Sequence, residues 1–330
     1  MSSALQVPEC DRCQRPSVLF QRYSGRSFCN KHLLDSVHKR FAKELRRQLQ
    51  LPKGGHKTTI LVAISGGKDS ALLLNRLVTI LGPRKDVELV AGCIDEGIDG
   101  YRSPSMDCAK RLAESLDIPF HTVSYPELGF ERMDEVVQKL PIIREKHAHT
   151  RGMAPCSFCG VFRRQGLNRL AEKVGADVMA LGHNLDDMAQ TVLMNMQKGD
   201  LERSLRLAPH TEAPLPGLPP RIVPMRWIPE QEVHACAMAL DLPFFHDECP
   251  HSPGALRQRN RHMVSMLEDD VPGTRHGLVH MVDAIKGLEA QARKVDETRP
   301  SPPTPCPQCS EPTSGEICKA CEFMAMLKED

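Results

Sequence analysis

Between residues 57 and 298 short apolar runs alternate with longer amphipathic stretches. Ile60-Leu61-Val62-Ala63-Ile64 has the length and β-branching of a strand buried on both faces. Leu72, Leu73, Leu74, Leu77, Val78 and Leu81 then recur at helical spacing. The same alternation predicts strands near 58–64, 87–94, 119–124, 177–182 and 221–226, separated by helices. Strands that alternate with helices specify an α/β fold with a doubly wound parallel sheet, whose ligands bind beyond the carboxyl ends of the strands. Outside this region the pattern changes. Residues 37–56 place Lys39, Arg40, Lys43, Arg46 and Arg47 on a helix that Pro52-Lys53-Gly54-Gly55 ends. Residues 209–220 carry five prolines and Gly217 and read as a loop, mobile over the strand ends; residues 299–305 read as a stiff proline-rich linker.

The chemistry-bearing residues fall at strand ends. Ser65-Gly66-Gly67-Lys68-Asp69-Ser70 follows the first strand, Asp95-Glu96-Gly97 the second, and Gly182-His183 the fourth. Two glycines allow a sharp turn and close approach of a ligand, and the amides of the turn and of the following helix N-terminus converge on an anion. The spacing is neither that of a G-x-x-x-x-G-K-[ST] loop nor that of a dinucleotide-binding turn. It resembles the S-G-G-x-D-S loop of the N-type ATP pyrophosphatases (adenine nucleotide alpha hydrolase-like), which release pyrophosphate and leave AMP on the substrate.

Lys and Arg number 43 against 42 Asp and Glu, so any nucleic-acid surface is a local patch. No apolar run approaches the length of a membrane span and Met1–Gln6 does not open a signal peptide, so a cytoplasmic protein is expected. Thirteen cysteines then argue for metal sites rather than disulfides. Cys10-x2-Cys13 followed by Cys29-x2-His32, and Cys306-x2-Cys309 followed by Cys318-x2-Cys321, are closed four-ligand sets for two structural zinc ions. Cys156-Ser157-Phe158-Cys159 has no second pair nearby. A redox dithiol, half of a third zinc site and part of an iron–sulfur site all fit it. Cys93, Cys108 and Cys236 lie in core patterns; Cys249, in a polar break before Pro250, is the best candidate for a third ligand.

Together and in order, these motifs resemble the tRNA 2-thiouridine synthetase family, the pyrophosphate-loop tRNA thiolases with two zinc fingers. The resemblance also rests on Cys156 to Arg164, on Leu181-Gly182-His183-Asn184-Leu185-Asp186-Asp187 and on Glu248-Cys249-Pro250. It covers nearly the whole chain. Ser310 stands where the family commonly has a turn glycine, and His251 where it commonly has a tyrosine.

The resemblance implies an oxygen-sensitive [4Fe-4S] cluster held by Cys156, Cys159 and Cys249, with one iron free to bind sulfur. It implies that Asp69, Arg163 and Gly182 border ATP and that Asp187 supports activation. The expected reaction is adenylation of the uridine C2 oxygen, loss of pyrophosphate, then sulfur transfer with loss of AMP. Ser65, Gly66, Gly67, Lys68, Asp69 and Ser70 would hold the phosphates, with Mg²⁺ at Asp69. A persulfide relay through Cys156 and Cys249 is the alternative to the cluster. Expected partners are tRNA, a sulfur donor (sulfide or a ubiquitin-like thiocarboxylate protein) and a second copy of the chain.

Five segments follow: an N-terminal finger (1–36), a basic helical connector (37–56), the catalytic domain (57–298), the linker (299–305) and a C-terminal finger (306–330). Three basic stretches frame the site and are candidates for the tRNA path: Arg144 to Arg151; Arg163, Arg164 and Arg169; and Arg257 to His262. Two other readings fit parts of the chain. One is a different pyrophosphate-loop tRNA-modifying enzyme, of the 2-thiocytidine or lysidine type. The other is a zinc-ribbon RNA-binding adaptor without catalysis.

Overall fold

The apolar run at Ile60 pairs on both sides. Ile60 lies opposite Leu89 on one neighbouring strand and Val178 on the other. In this computed structural model, which describes residues 7–52, 57–210, 218–292 and 304–329, the chain begins with a hairpin of β1 (Leu19–Gln21) and β2 (Arg26–Phe28) and enters α1 (Asn30–Gln48). There follow β3 (Thr58–Ala63), α2 (Lys68–Leu81), β4 (Val87–Asp95), α3 (Arg102–Ser115) and β5 (Phe120–Ser124). Next come α4 (Met133–Lys146), α5 (Pro155–Lys173), β6 (Val178–Ala180), α6 (Leu185–Gln197), α7 (Leu201–Leu205) and β7 (Arg221–Ile222). The chain continues through α8 (Glu230–Ala239), α9 (Leu256–Asp270) and α10 (Thr274–Ala292), and ends with the ribbon β8 (Thr304–Pro305) and β9 (Pro312–Thr313) and with α11 (Lys319–Lys328).

β3 to β7 form one parallel sheet in the order β5-β4-β3-β6-β7. The chain winds outward from β3 through β4 to β5, then returns to β6 on the other side of β3. The crevice between the carboxyl ends of β3 and β6 is therefore the topological switch point, where ligands of such sheets bind. Side chains alternate across β3. Ile60 and Val62 meet Leu72, Leu73 and Ala109 on one face, while Leu61 meets Phe162, Leu170 and Met179 on the other.

The terminal segments share these cores. Phe28, Leu33, Val37, Phe41 and Leu45 join the first face; Cys306, Cys318, Phe323, Met326 and Leu327 join the second. Phe323 stacks on Phe158 of α5 at 4.1 Å between ring centroids. Lone hairpins of this size bury too little to stand alone. Docking on the sheet layers supplies the missing core.

Several boundaries differ from the sequence expectation. The strand expected over 221–226 stops at Ile222. Pro224 has no N–H for a ladder, Gln48 Oε1 takes the N–H of Val223 at 2.6 Å, and Arg226 and Ile228 bond back into a turn. The expected boundary at 36/37 falls inside α1, which is continuous from the finger ligand region to Gln48 and ends before Pro52. Thr304 and Pro305, assigned to the linker, pair with the second finger's own strand. Residues 53–56, the centre of the expected loop (211–217) and most of the linker (299–303) lie outside the described residues, as do residues 1–6. No helix among the described residues is long and apolar enough to cross a membrane.

Candidate active site

The turn after β3 is closed by its own hydroxyls. Ser70 Oγ accepts from the Ser65 N–H at 3.1 Å and donates to the Gly67 carbonyl at 2.9 Å. Gly66 has φ +88°, and a Cβ there would stand 1.9 Å from the Ser105 carbonyl oxygen, so only glycine fits. The turn leads straight into α2, whose first amides face the crevice, as an anion site requires.

Lys68, Asp69 and the N-terminus of α6 meet here. Lys68 Nζ lies 3.0 Å from Asp69 Oδ2 and 2.7 Å from Glu230 Oε1. Asn184 Nδ2 donates to Asp69 Oδ1 at 2.8 Å, while Asn184 and Asp187 close a capping box at the start of α6. Burial pushes the Asp69 carboxyl up; Asp187 adds to the effect and Lys68 opposes it. Two acids that repel one another at an anion-binding turn make a fitting donor set for a hard divalent cation. Gly182 packs on the backbone of Asp69 and Ser70, where a Cβ would come within 3.3 Å of the Ser70 nitrogen.

The cysteines gather at the same edge. Cys156 and Cys159 occupy the first turns of α5, begun by Pro155. Phe245 N–H donates to the Gly66 carbonyl at 2.8 Å, so the segment that leads to Cys249 starts from the glycine turn. It ends beside Cys156, whose sulfur lies 3.9 Å from the His251 carbonyl. His251 is itself held by Asp134 at 2.6 Å. Burial raises the thiol pKa of Cys156, and Cys159 and Cys249 raise it further. Three thiols that oppose one another's ionisation suit a cationic group between them.

The trio differs from the finger sites. Among the described residues two groups hold all their ligand atoms within 4.8 Å, Cys10/Cys13/Cys29/His32 and Cys306/Cys309/Cys318/Cys321, and the trio is not one of them. In the fingers Cys13 and Cys29 are 3.7 Å apart and Cys306 and Cys321 3.8 Å apart. That matches the ~3.8 Å between thiolates set tetrahedrally around one ion at ~2.3 Å. A cubane presents its irons at separate corners, so wider spacing of the trio fits a cluster better than a single ion. Cys93, Cys108 and Cys236 are buried in the core.

Arg163, one α5 turn beyond Cys159, links that cysteine to the acid that follows β4. Its Nη2 donates to Cys159 Sγ at 3.2 Å and its Nε to Glu96 Oε1 at 2.7 Å. Tyr125 OH donates to the Cys159 carbonyl at 3.0 Å. From sequence Glu96 was placed among the chemistry-bearing strand ends and Asn184 within a family motif, neither with a role, while Arg102, Tyr125 and Glu230 were not singled out. The roles of all five are defined by contacts between distant segments.

The basic stretches expected to line a tRNA path are mostly engaged within the molecule. Arg144 donates to the Met153 carbonyl, Lys146 to that of Glu329, and His147 meets the Glu329 carboxylate. Arg169 lies against Glu311 and the Cys309 carbonyl, Arg257 against Asp187, and Arg261 against Glu230. Among the described residues the side chains of Arg151, Arg259 and His262 have no such partner.

A family model of the PP-loop domain matches residues 37–267, and one of the N-terminal LIM domain of 2-thiouridine synthetase TtuA matches residues 9–34. The chain belongs to the PP-loop tRNA thiolation family. It is 37% identical over 332 residues to tRNA 2-thiolation protein NcsA of Haloferax volcanii, covering 97% of this chain and 99% of that one. It is 32% identical to cytoplasmic tRNA 2-thiolation protein 1 of Danio rerio, covering 97% and 88%. Among solved structures it resembles the U34-tRNA thiolase NcsA from Methanococcus maripaludis with its [4Fe-4S] cluster. The TM-score is 0.73 at 30% identity, over 86% of this chain and 89% of the other. Family membership and the parallel sheet agree with the α/β pyrophosphatase fold expected from sequence. The enzyme class is therefore that of a tRNA sulfurtransferase.

Proposed function

We propose that the protein synthesises 2-thiouridine in tRNA by adenylating the C2 oxygen of a uridine and then exchanging AMP for sulfur. One observation carries the proposal: the Phe245–Gly66 hydrogen bond ties the segment of Cys249 to the glycine turn, while its far end meets Cys156. Activation and sulfur delivery then share one crevice.

In this reading the amides of Gly66 and Gly67 and the hydroxyls of Ser65 and Ser70 grip the β and γ phosphates. Lys68 is freed from Glu230 to meet them. Asp69, oriented by Asn184, and Asp187 would hold Mg²⁺. Arg163 presents its planar fork to the α-phosphate side, and Gly182 lets the base of α2 approach the crevice floor. Positioning and charge compensation supply the catalysis of such transfers. Pyrophosphate leaves as uridine O2 is adenylated, and AMP leaves when sulfur attacks C2. Cys156, Cys159 and Cys249 would hold a [4Fe-4S] cluster, which when bound supplies an open metal position for sulfur. The two finger sets would hold zinc and keep the docked ends folded. The partners are tRNA, a sulfide or thiocarboxylate donor, and a second copy of the chain. A cytoplasmic location follows the named relatives.

The test is made with anaerobically purified protein, ATP, tRNA and sulfide. Expected are roughly four irons per chain, tRNA-dependent release of pyrophosphate and AMP, and 2-thiouridine on nucleoside mass spectrometry. Cys249→Ala is expected to lose both iron and thiolation. Full thiolation by iron-free protein would remove the cluster from the scheme, and no pyrophosphate release with tRNA would remove the scheme itself.

A further inference from the structure

Glu96 is a buried acid to which the scheme above gives no task. It follows β4 directly and is 2% exposed. Its Oε1 accepts from Arg163 Nε at 2.7 Å. Its Oε2 lies 2.6 Å from Arg102 Nε, whose N–H is directed at the Ile94 carbonyl, so the second oxygen is compensated by charge without a hydrogen bond of its own.

Each arginine reaches a different part of the crevice. Arg102, 4% exposed, donates through Nη1 to the Ser65 carbonyl at 2.8 Å and to Ser105 Oγ at 3.0 Å, and through Nη2 to Cys93 Sγ at 2.7 Å. Ser105 is also the residue whose carbonyl oxygen a Cβ at Gly66 would strike. Arg163 donates through Nη2 to Cys159 Sγ at 3.2 Å. A continuous chain of charged contacts thus runs from the backbone of the glycine turn through Arg102, Glu96 and Arg163 to a cysteine of the trio. Two guanidinium groups share one carboxylate. Its loss would leave the buried Arg102 guanidinium without its counter-charge and Arg163, which is half exposed, without its anchor.

We propose that Glu96 is the positioning residue that joins the phosphate-gripping turn to the sulfur-handling cysteines. It holds Arg102 against the Ser65 carbonyl and Arg163 against Cys159, and it balances their charge. The inference deepens the proposed function and rests on it only where the cluster is concerned. Glu96 touches neither phosphate nor sulfur; it acts through the two arginines.

Two substitutions separate charge from reach. Glu96→Gln keeps the shape and removes the charge. Glu96→Asp keeps the charge but is one methylene too short to meet both arginines. In each, ATP affinity is measured by calorimetry on iron-free and on iron-loaded protein, and the reduction potential on the loaded form. Expected for Glu96→Gln are unchanged iron content, ATP affinity weakened roughly tenfold, as for loss of one charge-assisted contact, and a potential moved positive. The uncompensated Arg163 cation beside Cys159 favours the added electron. Glu96→Asp is expected to weaken ATP binding similarly but to leave the potential near that of the unsubstituted protein. Unchanged ATP affinity and unchanged potential in Glu96→Gln would overturn the inference, as would equal shifts of potential in both variants. If the unsubstituted protein binds no iron, the cluster fails, and the ATP measurement on iron-free protein still decides the role of Glu96.

Discussion

Asn184 joins two strand ends through Asp69: its amide donates to Asp69 Oδ1 at 2.8 Å while its own Oδ1 caps α6 by accepting from the Asp187 N–H at 3.0 Å. One side chain therefore sets the helix start and orients the acid of the glycine turn. Asn184→Ala is expected to cost about 1 kcal/mol of stability through the lost cap. It should also raise the KM for ATP more than it lowers kcat, since Asp69 loses its orientation. Differential scanning calorimetry and a pyrophosphate-release assay check the two effects. An unchanged KM would show that Asp69 does not need Asn184.

Gly66 tolerates no side chain. With φ +88° and the Ser105 carbonyl oxygen 1.9 Å from an added Cβ, Gly66→Ala must move the turn or α3. Displacement of a phosphate-binding backbone by about 1 Å costs on the order of 100-fold in rate. The loss should appear in the rate of tRNA-dependent pyrophosphate release, while the fold, read by circular dichroism, persists. Gly67→Ala, with only Ser65 Oγ at 3.6 Å, should be milder.

His251 anchors the third cysteine. Its Nε2 lies 2.6 Å from Asp134 Oδ1, and its carbonyl faces the Cys156 sulfur. His251→Ala should loosen the Cys249 segment and lower the iron content of anaerobic protein, whereas His251→Gln, which can still donate to Asp134, should retain more. Iron assay and absorbance at about 400 nm provide the measurement. Equal iron in all three proteins would remove the anchoring role.

Ser310 occupies a left-handed conformation, φ +63°, in the turn between Cys309 and Glu311. A side chain there is strained, so Ser310→Gly should stabilise the C-terminal finger by about 1 kcal/mol. The expected outcome is a higher chelator concentration for metal release. A lower one would show that Ser310 contributes an interaction that outweighs the strain.

His276 sits against Tyr23 at 4.6 Å between ring centroids and is stacked with Trp227. Burial holds its pKa down at about 4; Glu268 opposes this, and Arg40, His280 and Arg275 reinforce it. As pH falls, the unfolded chain takes up this proton first, near the usual 6.5. The contribution of His276 to stability is therefore intact above about 6.5, declines toward 4 and is fully lost below it. His276→Phe should flatten the stability profile in that window. Urea unfolding of both proteins at pH 7 and pH 4.5 tests this, and parallel declines would refute it.

Much was legible before the fold was known because strand, turn and ligand signals are local. Ile60 to Ser70 carries its strand, its glycine turn and its helix start within eleven residues. Both fingers declare their ligands by short spacing, which tight turns impose. The extent of β7 was only partly legible: Pro224 argues against a strand beyond Val223, but the bond from the Val223 N–H to Gln48, in a helix far away in the chain, has no local signal. The partners of the basic stretches were hidden for the same reason. Nothing near Arg257 and Arg261 in sequence shows that Asp187 and Glu230 stand beside them.

The amino-acid sequence by itself determined the order of elements, the glycine turn and the two four-ligand sets, because each depends on neighbours a few residues apart. Only the tertiary structure decided that the segment of Cys249 reaches Cys156 through the His251 carbonyl, that Asn184 holds Asp69, and that Glu96 stands between Arg102 and Arg163. Those meetings follow from the winding of the sheet about β3, which brings to one edge segments separated by more than a hundred residues. No local pattern records such a distance.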